Sequence, residues 1–179
     1  MIDYIPKYLT EKGFDLPQLL HDDFFLAIKL LFKNGLYVSS AKLLVSFIDS
    51  IAFVEYGDDG IPFVRWVDEY VDLGSVGITS EELWEHRNSL LHMTNLDSRK
   101  VLAGKVKRLL IYVGNLPSDI PSENNHAKYY SLQKLLAAID NGINHWIASF
   151  NMDRNKIEVF VSRYDLIISD RRRLEINLD

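Results

Sequence analysis

Arg87, Asn88 and His92 are the residues of this chain whose types and spacing suit joint chemistry, within the run Arg87-Asn88-Ser89-Leu90-Leu91-His92. The run supplies a permanent cation, an amide that orients a neighbour, and a base that titrates near neutral pH. That set suits a phosphodiester. A neutral imidazole takes a proton from a ribose 2′-hydroxyl, and an imidazolium returns one to the leaving oxygen. A guanidinium holds two phosphate oxygens and neutralises charge that builds in the transition state. With the 2′-hydroxyl as nucleophile, no metal is required.

These residues need a helix to position them. Thr79 is a good N-cap, Glu82 stands three residues on as its capping-box partner, and Ile78 and Leu83 are spaced for a hydrophobic staple. The spacing predicts a helix over about Thr79 to Thr94. One face carries Leu83, Trp84, Arg87, Leu90, Leu91 and Thr94; a polar stripe of Glu81, Glu85, Asn88, His92 and Asn95 runs along its edge.

Arg87 in that apolar stripe has two readings. In one it lays its stem on Trp84 and Leu91 and carries its head to water. In the other it belongs to a site with Asn88 and His92, an i,i+4 pair beside it. Residues five apart on a helix point about 140° away from each other, so Arg87 and His92 of one chain do not converge unaided. A second copy related by two-fold symmetry brings two Arg and two His into one cleft, which makes a homodimer the expected assembly.

An Arg, a polar residue, three more and a His, late in a small helical bundle, resembles the signature of HEPN domains. Ser40 to Tyr56 (SAKLLVSFIDSIAFVEY), Phe63 to Val71 (FVRWVDEYV) and LWEHRNSLLHM resemble the same superfamily, in the style of its bacterial members, over roughly residues 20–95. The resemblance implies an all-α bundle of about six helices over residues 1–179 as a single domain. It also implies a metal-independent endoribonuclease working as a dimer in toxin–antitoxin, phage-defence or RNA-processing roles. Some members have lost catalysis and serve as binding modules. Only Arg87, Asn88 and His92 carry over as site residues.

Composition bounds these readings. With 179 residues and 47% hydrophobic content, the chain fits one domain with a sizeable core. It has no cysteine, hence no disulfide framework, thiolate nucleophile or cysteine zinc site. The start, Met1-Ile2-Asp3-Tyr4-Ile5-Pro6, does not read as a signal peptide, and no uninterrupted apolar run approaches membrane-span length, so a cytoplasmic protein without a membrane partner is expected. The net charge of −5 repels phosphate at long range, so RNA contact is expected to be local, in a basic cleft. Short basic runs occur at Lys105, Lys107 and Arg108 and at Arg171-Arg172-Arg173, where solvated faces are the commoner explanation.

Helical periodicity dominates the chain. Expected helices run from Asp15-Leu16-Pro17 to Asn34-Gly35, from Ser39 or Ser40 to Gly57, from Pro62 to before Gly74, through the Arg87 segment, from about Ala127 to Phe150, and from about Asp153 to Ser169. Val101 to Val113 suits strand or helix. As a strand it would pair with the alternating tail Arg173 to Leu178, giving a small two-stranded β element.

Other constellations are weaker. Glu123-Asn124-Asn125-His126 has Glu-x-x-His spacing, but di-iron bundles need two such motifs on helices. Glu81, Glu85 and His92 form a poor divalent-ion set, so no metal or cofactor is expected. His145-Trp146 reads as core or interface, and Asp22-Asp23 as favouring a helix dipole. Three classes remain open: the ribonuclease, a catalytically idle module for a protein, nucleotide or RNA partner such as an antitoxin or cognate component, and an architectural dimer.

Overall fold

A computed structural model describes residues 5–11, 13–92 and 97–167, with only the backbone at 5, 6, 92 and 165. The elements begin where local chemistry starts them. After a 3-10 turn (Ile5–Tyr8) and a tight antiparallel pair, β1 (Leu9–Thr10) and β2 (Gly13–Phe14), Asp15 caps α1 (Leu16–Leu20) by accepting the Gln18 amide. Pro62 opens α4 (Pro62–Tyr70), where its missing N–H leaves nothing unsatisfied. Helix α5 (Ser80–His92) has the capping box in full. The Glu82 amide donates to Thr79 Oγ1 at 3.1 Å and the Thr79 amide to Glu82 at 2.8 Å.

The core is built around α3 (Tyr37–Tyr56), whose Leu44, Phe47, Ile48, Ile51 and Ala52 are fully buried. Around it pack α2 (Leu26–Lys33), α4, α5, α7 (Leu132–Met152) and α8 (Asn155–Ile167). An aromatic seam of Trp66, Trp146, Phe150 and Phe160 joins α4, α7 and α8, with the two Trp rings edge-on at 6.3 Å. Arg163 of α8 closes the end of α3 by donating to the Val54 and Glu55 carbonyls at 2.9 and 2.7 Å. Among the described residues, α3 is long and apolar enough to cross a membrane, yet half of its most apolar stretch is buried in this core.

The fold is mostly helical, with two short two-stranded sheets. Three expectations are corrected. The helix expected from Asp15 to Asn34 is interrupted by a π-helical turn, His21–Phe25, which separates α1 from α2. Phe24 and Phe25 both lie on the Phe47 ring, with centroids 4.7 and 4.9 Å away. Asp22 and Asp23 also do more than favour a dipole. Asp22 accepts from Lys7, Tyr8 and Gln18, and Asp23 accepts from Tyr164 at 2.8 Å, so the turn ties the N-terminal segment and α8 to the bundle. Asp22 is thereby held well below the usual carboxylate range, chiefly by Lys7.

Third, the segment 101–113 divides into a short helix, α6 (Arg99–Leu102), and a strand, β3 (Arg108–Tyr112). The partner of β3 is β4 (Ala127–Ser131), parallel and in register from Arg108↔Ala127 to Tyr112↔Ser131. The first residues expected in the 127–150 helix are therefore strand, and Ser131, accepting the Lys134 amide, caps α7 in their place. The tail Arg173 to Leu178, offered as the strand's partner, and Arg171-Arg172-Arg173 lie outside the described residues.

Candidate functional site around Arg87

Helix α5 is wedged between α3, α4 and β3, and among its described side chains only Glu81 is exposed. Its most buried residues are Leu83, Glu85, His86, Ser89 and Leu90. The axis of burial therefore differs from the stripe read by periodicity: Glu85 is 6% exposed rather than on a solvated edge, and Arg87 sits beside the core, not in its middle.

Arg87 is held from three sides. Its Nε donates to Asp49 Oδ2 at 2.5 Å, and Nη2 lies 2.5 Å from the same oxygen. Its Nη1 donates to Asn88 Oδ1 at 3.0 Å, and the guanidinium carbon stands 4.8 Å from the Trp84 ring centroid. The Arg87 and Asp49 side chains are 17% and 25% exposed, so this charge pair lies at the protein surface but is largely desolvated. Neither sequence reading had this arrangement. The guanidinium head, not the stem, stands over Trp84, and it is bound to a carboxylate instead of being carried to water.

The structure thus brings together Arg87, Asn88, Trp84 and Asp49. Asn88, expected to orient a neighbour, directs its carbonyl to Arg87. His92 is the last residue of α5; its side chain, with Thr94 and Asn95, lies outside the described residues. Asp49 was missed because it belongs to another helix, 38 positions away in sequence. Its one available sign was a carboxylate, beside Ser50, within the mostly apolar Phe47 to Val54 run.

His86, also missed, faces inward at 4% exposure, edge-on to Tyr130 of β4 at 5.6 Å. Both its ring nitrogens and the Tyr130 hydroxyl lack hydrogen-bond partners among the described residues. Burial alone pushes its pKa down to about 4, so the ring is neutral at physiological pH. A neutral imidazole sealed from solvent has no access to a substrate proton, so His86 is a core residue.

The remaining candidates separate. Glu81 and Glu85 lie 2.7 and 3.5 Å from the Lys100 ammonium, which occupies the position a divalent ion would need. No group of three or more acidic, His or Cys side chains fit to hold a metal occurs among the described residues. Glu123 pairs with Lys107, and His126 is exposed, so the Glu-x-x-His spacing makes no joint site. Trp146 is core, donating to Glu55 at 2.8 Å, whereas the neighbouring His145 is on the exposed side of α7. Compared with known proteins, the chain matches no family model, no curated protein and no solved structure.

Proposed function

We propose that the chain is a metal-independent endoribonuclease of the HEPN type, using Arg87 and His92 at a cleft between two copies of α5. The observation that carries this reading is the fixed guanidinium. Asp49, Asn88 and Trp84 restrain its position near the surface, which reduces the entropy lost when it engages a phosphate. His92 would take the 2′-hydroxyl proton and, in the partner copy, return one to the leaving oxygen. Asn88 acts through Arg87, as a positioning residue.

One observation favours a second reading. Asp49 already neutralises Arg87, and a phosphate would have to share the guanidinium with that carboxylate. In a catalytically idle module that binds an antitoxin, a cognate protein or a nucleotide, the same pair would stand as a structural clamp. Purified protein incubated with structured and unstructured RNAs in EDTA separates the two. The ribonuclease cuts, and Arg87→Lys and His92→Ala each remove most cleavage, since acid–base catalysis contributes ~10²–10⁴-fold. Absence of cleavage with every RNA, or cleavage undiminished in both variants, supports the binding module or a contaminating nuclease instead. Sedimentation should give a dimer at micromolar protein.

A further inference from the structure

A cavity of about 470 Å³ opens where α6 turns into β3. Its wall carries Lys105, Lys107, Arg108 and His126 in a chain whose net charge is −5. The fold gathers them. Gly104, at φ +65°, ends α6 in a left-handed turn, with the Lys105 amide donating back to the Lys100 carbonyl at 2.9 Å. Because β3 and β4 are parallel, both strands start at the same end of the pair. The Arg108 amide donates to the His126 carbonyl at 3.1 Å, which places the cations before β3 beside Asn125 and His126 before β4.

The charges are only partly matched. Arg108 Nε donates to Asp97 at 2.7 Å, and Lys107 pairs with Glu123. Lys105 is exposed and has no ion pair with a described residue, so its positive charge is the surplus. Beside it the wall carries the apolar side chains of Val101, Leu102, Val106 and Ala127, of which Leu102 is 70% exposed. A surplus cation, two restrained cations and an exposed apolar side chain are what a phosphate joined to a base and sugar requires. The volume falls within the range of about 300–1,000 Å³ typical of small-ligand sites.

We infer that this cavity binds one phosphate-bearing nucleotide unit, its phosphate on Lys105 and the Lys107–Arg108 edge and its nucleoside against Leu102 and His126. The inference does not rest on the cleavage proposed for Arg87. The same chemistry is offered by a free mononucleotide and by a nucleotide within a strand, and the experiment separates them.

Fluorescence anisotropy of labelled 2′-O-methyl pentauridylate measures binding without cleavage, because the blocked 2′-oxygen cannot attack. Wild-type protein should bind, with affinity falling with salt as expected for about two neutralised phosphates. Lys105→Glu should weaken binding at least about tenfold. Competition by adenosine monophosphate identifies a mononucleotide site; competition by unlabelled oligonucleotide alone identifies a strand subsite. Amide NMR of the wild-type protein with adenosine monophosphate, or with the oligonucleotide, should shift Gly104 to Arg108 and Asn125 to Ala127. Equal binding by wild-type protein and Lys105→Glu, shifts confined to other residues, or failure of both ligands to bind would overturn the assignment. None of these outcomes depends on whether the protein cleaves RNA.

Discussion

Arg87 and Asp49 are joined side-on across two helices: Nε and Nη2 of the guanidinium both reach one oxygen of the carboxylate, at 2.5 Å each. The contact fastens α5 to the middle of α3, the helix at the centre of the core. Both side chains are largely desolvated, so removing one leaves the other poorly compensated. Asp49→Ala should therefore destabilise the fold by about 1.5–3 kcal/mol, the range for hydrogen bonds to charged groups. Urea unfolding of Asp49→Ala, Arg87→Ala and the double variant should give a coupling energy above about 0.5 kcal/mol. Additive effects would mean that the pair does not act as a unit.

His86 makes stability depend on pH. Its folded pKa of about 4 is below the ordinary value of 6.5, because burial disfavours the charged ring. Well above pH 6.5 the ring is neutral in both states and adds no pH dependence. As pH falls from 6.5 towards 4 the unfolded chain takes up a proton that the folded chain refuses, so stability declines across that window. The loss approaches about 3 kcal/mol at the lower end. His86→Phe, which keeps an aromatic edge against Tyr130, should remove this component of the pH dependence. An unchanged pH profile in that variant would place the acid sensitivity elsewhere.

Gly142 tests close packing. A Cβ there would lie 2.6 Å from a Val71 methyl and 3.0 Å from the Tyr70 carbonyl oxygen. Helix propensity alone predicts that Gly142→Ala stabilises α7 by about 1 kcal/mol. Overpacking of about 1–3 kcal/mol opposes that gain and should reverse the sign, seen as a lowered Tm. A raised Tm would show that α7 and the 70–71 segment separate without cost.

Lys128 couples the α5 capping box to the sheet. Its ammonium lies 3.0 Å from Glu82 Oε1 and 3.1 Å from Oε2, while the Glu82 carboxylate also accepts the Thr79 amide. Thr79→Ala should cost about 1 kcal/mol. Glu82→Ala should cost more, since it removes both the cap partner and the acid opposite a Lys128 side chain that is only 15% exposed. Equal losses in thermal unfolding would show that the Lys128 contact contributes nothing.

What was legible in the sequence was local. The Thr79–Glu82 box, the Pro62 start and the Gly57 stop are signals within a few residues of the ends they specify, and helices follow in each case. The pairing of β3 with β4 was not legible, because Ala127 to Ser131 runs without a break into an amphipathic helix and its partner lies across a long loop. The inward turn of His86 was hidden for a different reason. Periodicity ranks a helix's faces by polarity, and α5 buries Glu85, His86 and Ser89 because three neighbours enclose it. Of the site, Arg87 and Asn88 were found together, whereas Asp49 required knowledge of how α3 and α5 cross.

The central claim is the chemistry assigned to Arg87 and His92, and the end left on the cut RNA tests it most directly. Mass spectrometry of fragments produced in EDTA should find a 2′,3′-cyclic phosphate, the product of 2′-hydroxyl attack without a metal. Arg87→Lys should lower its yield, because a point charge does not reproduce the guanidinium fork. Fragments ending in a 3′-hydroxyl, or cleavage abolished by EDTA, would contradict the account.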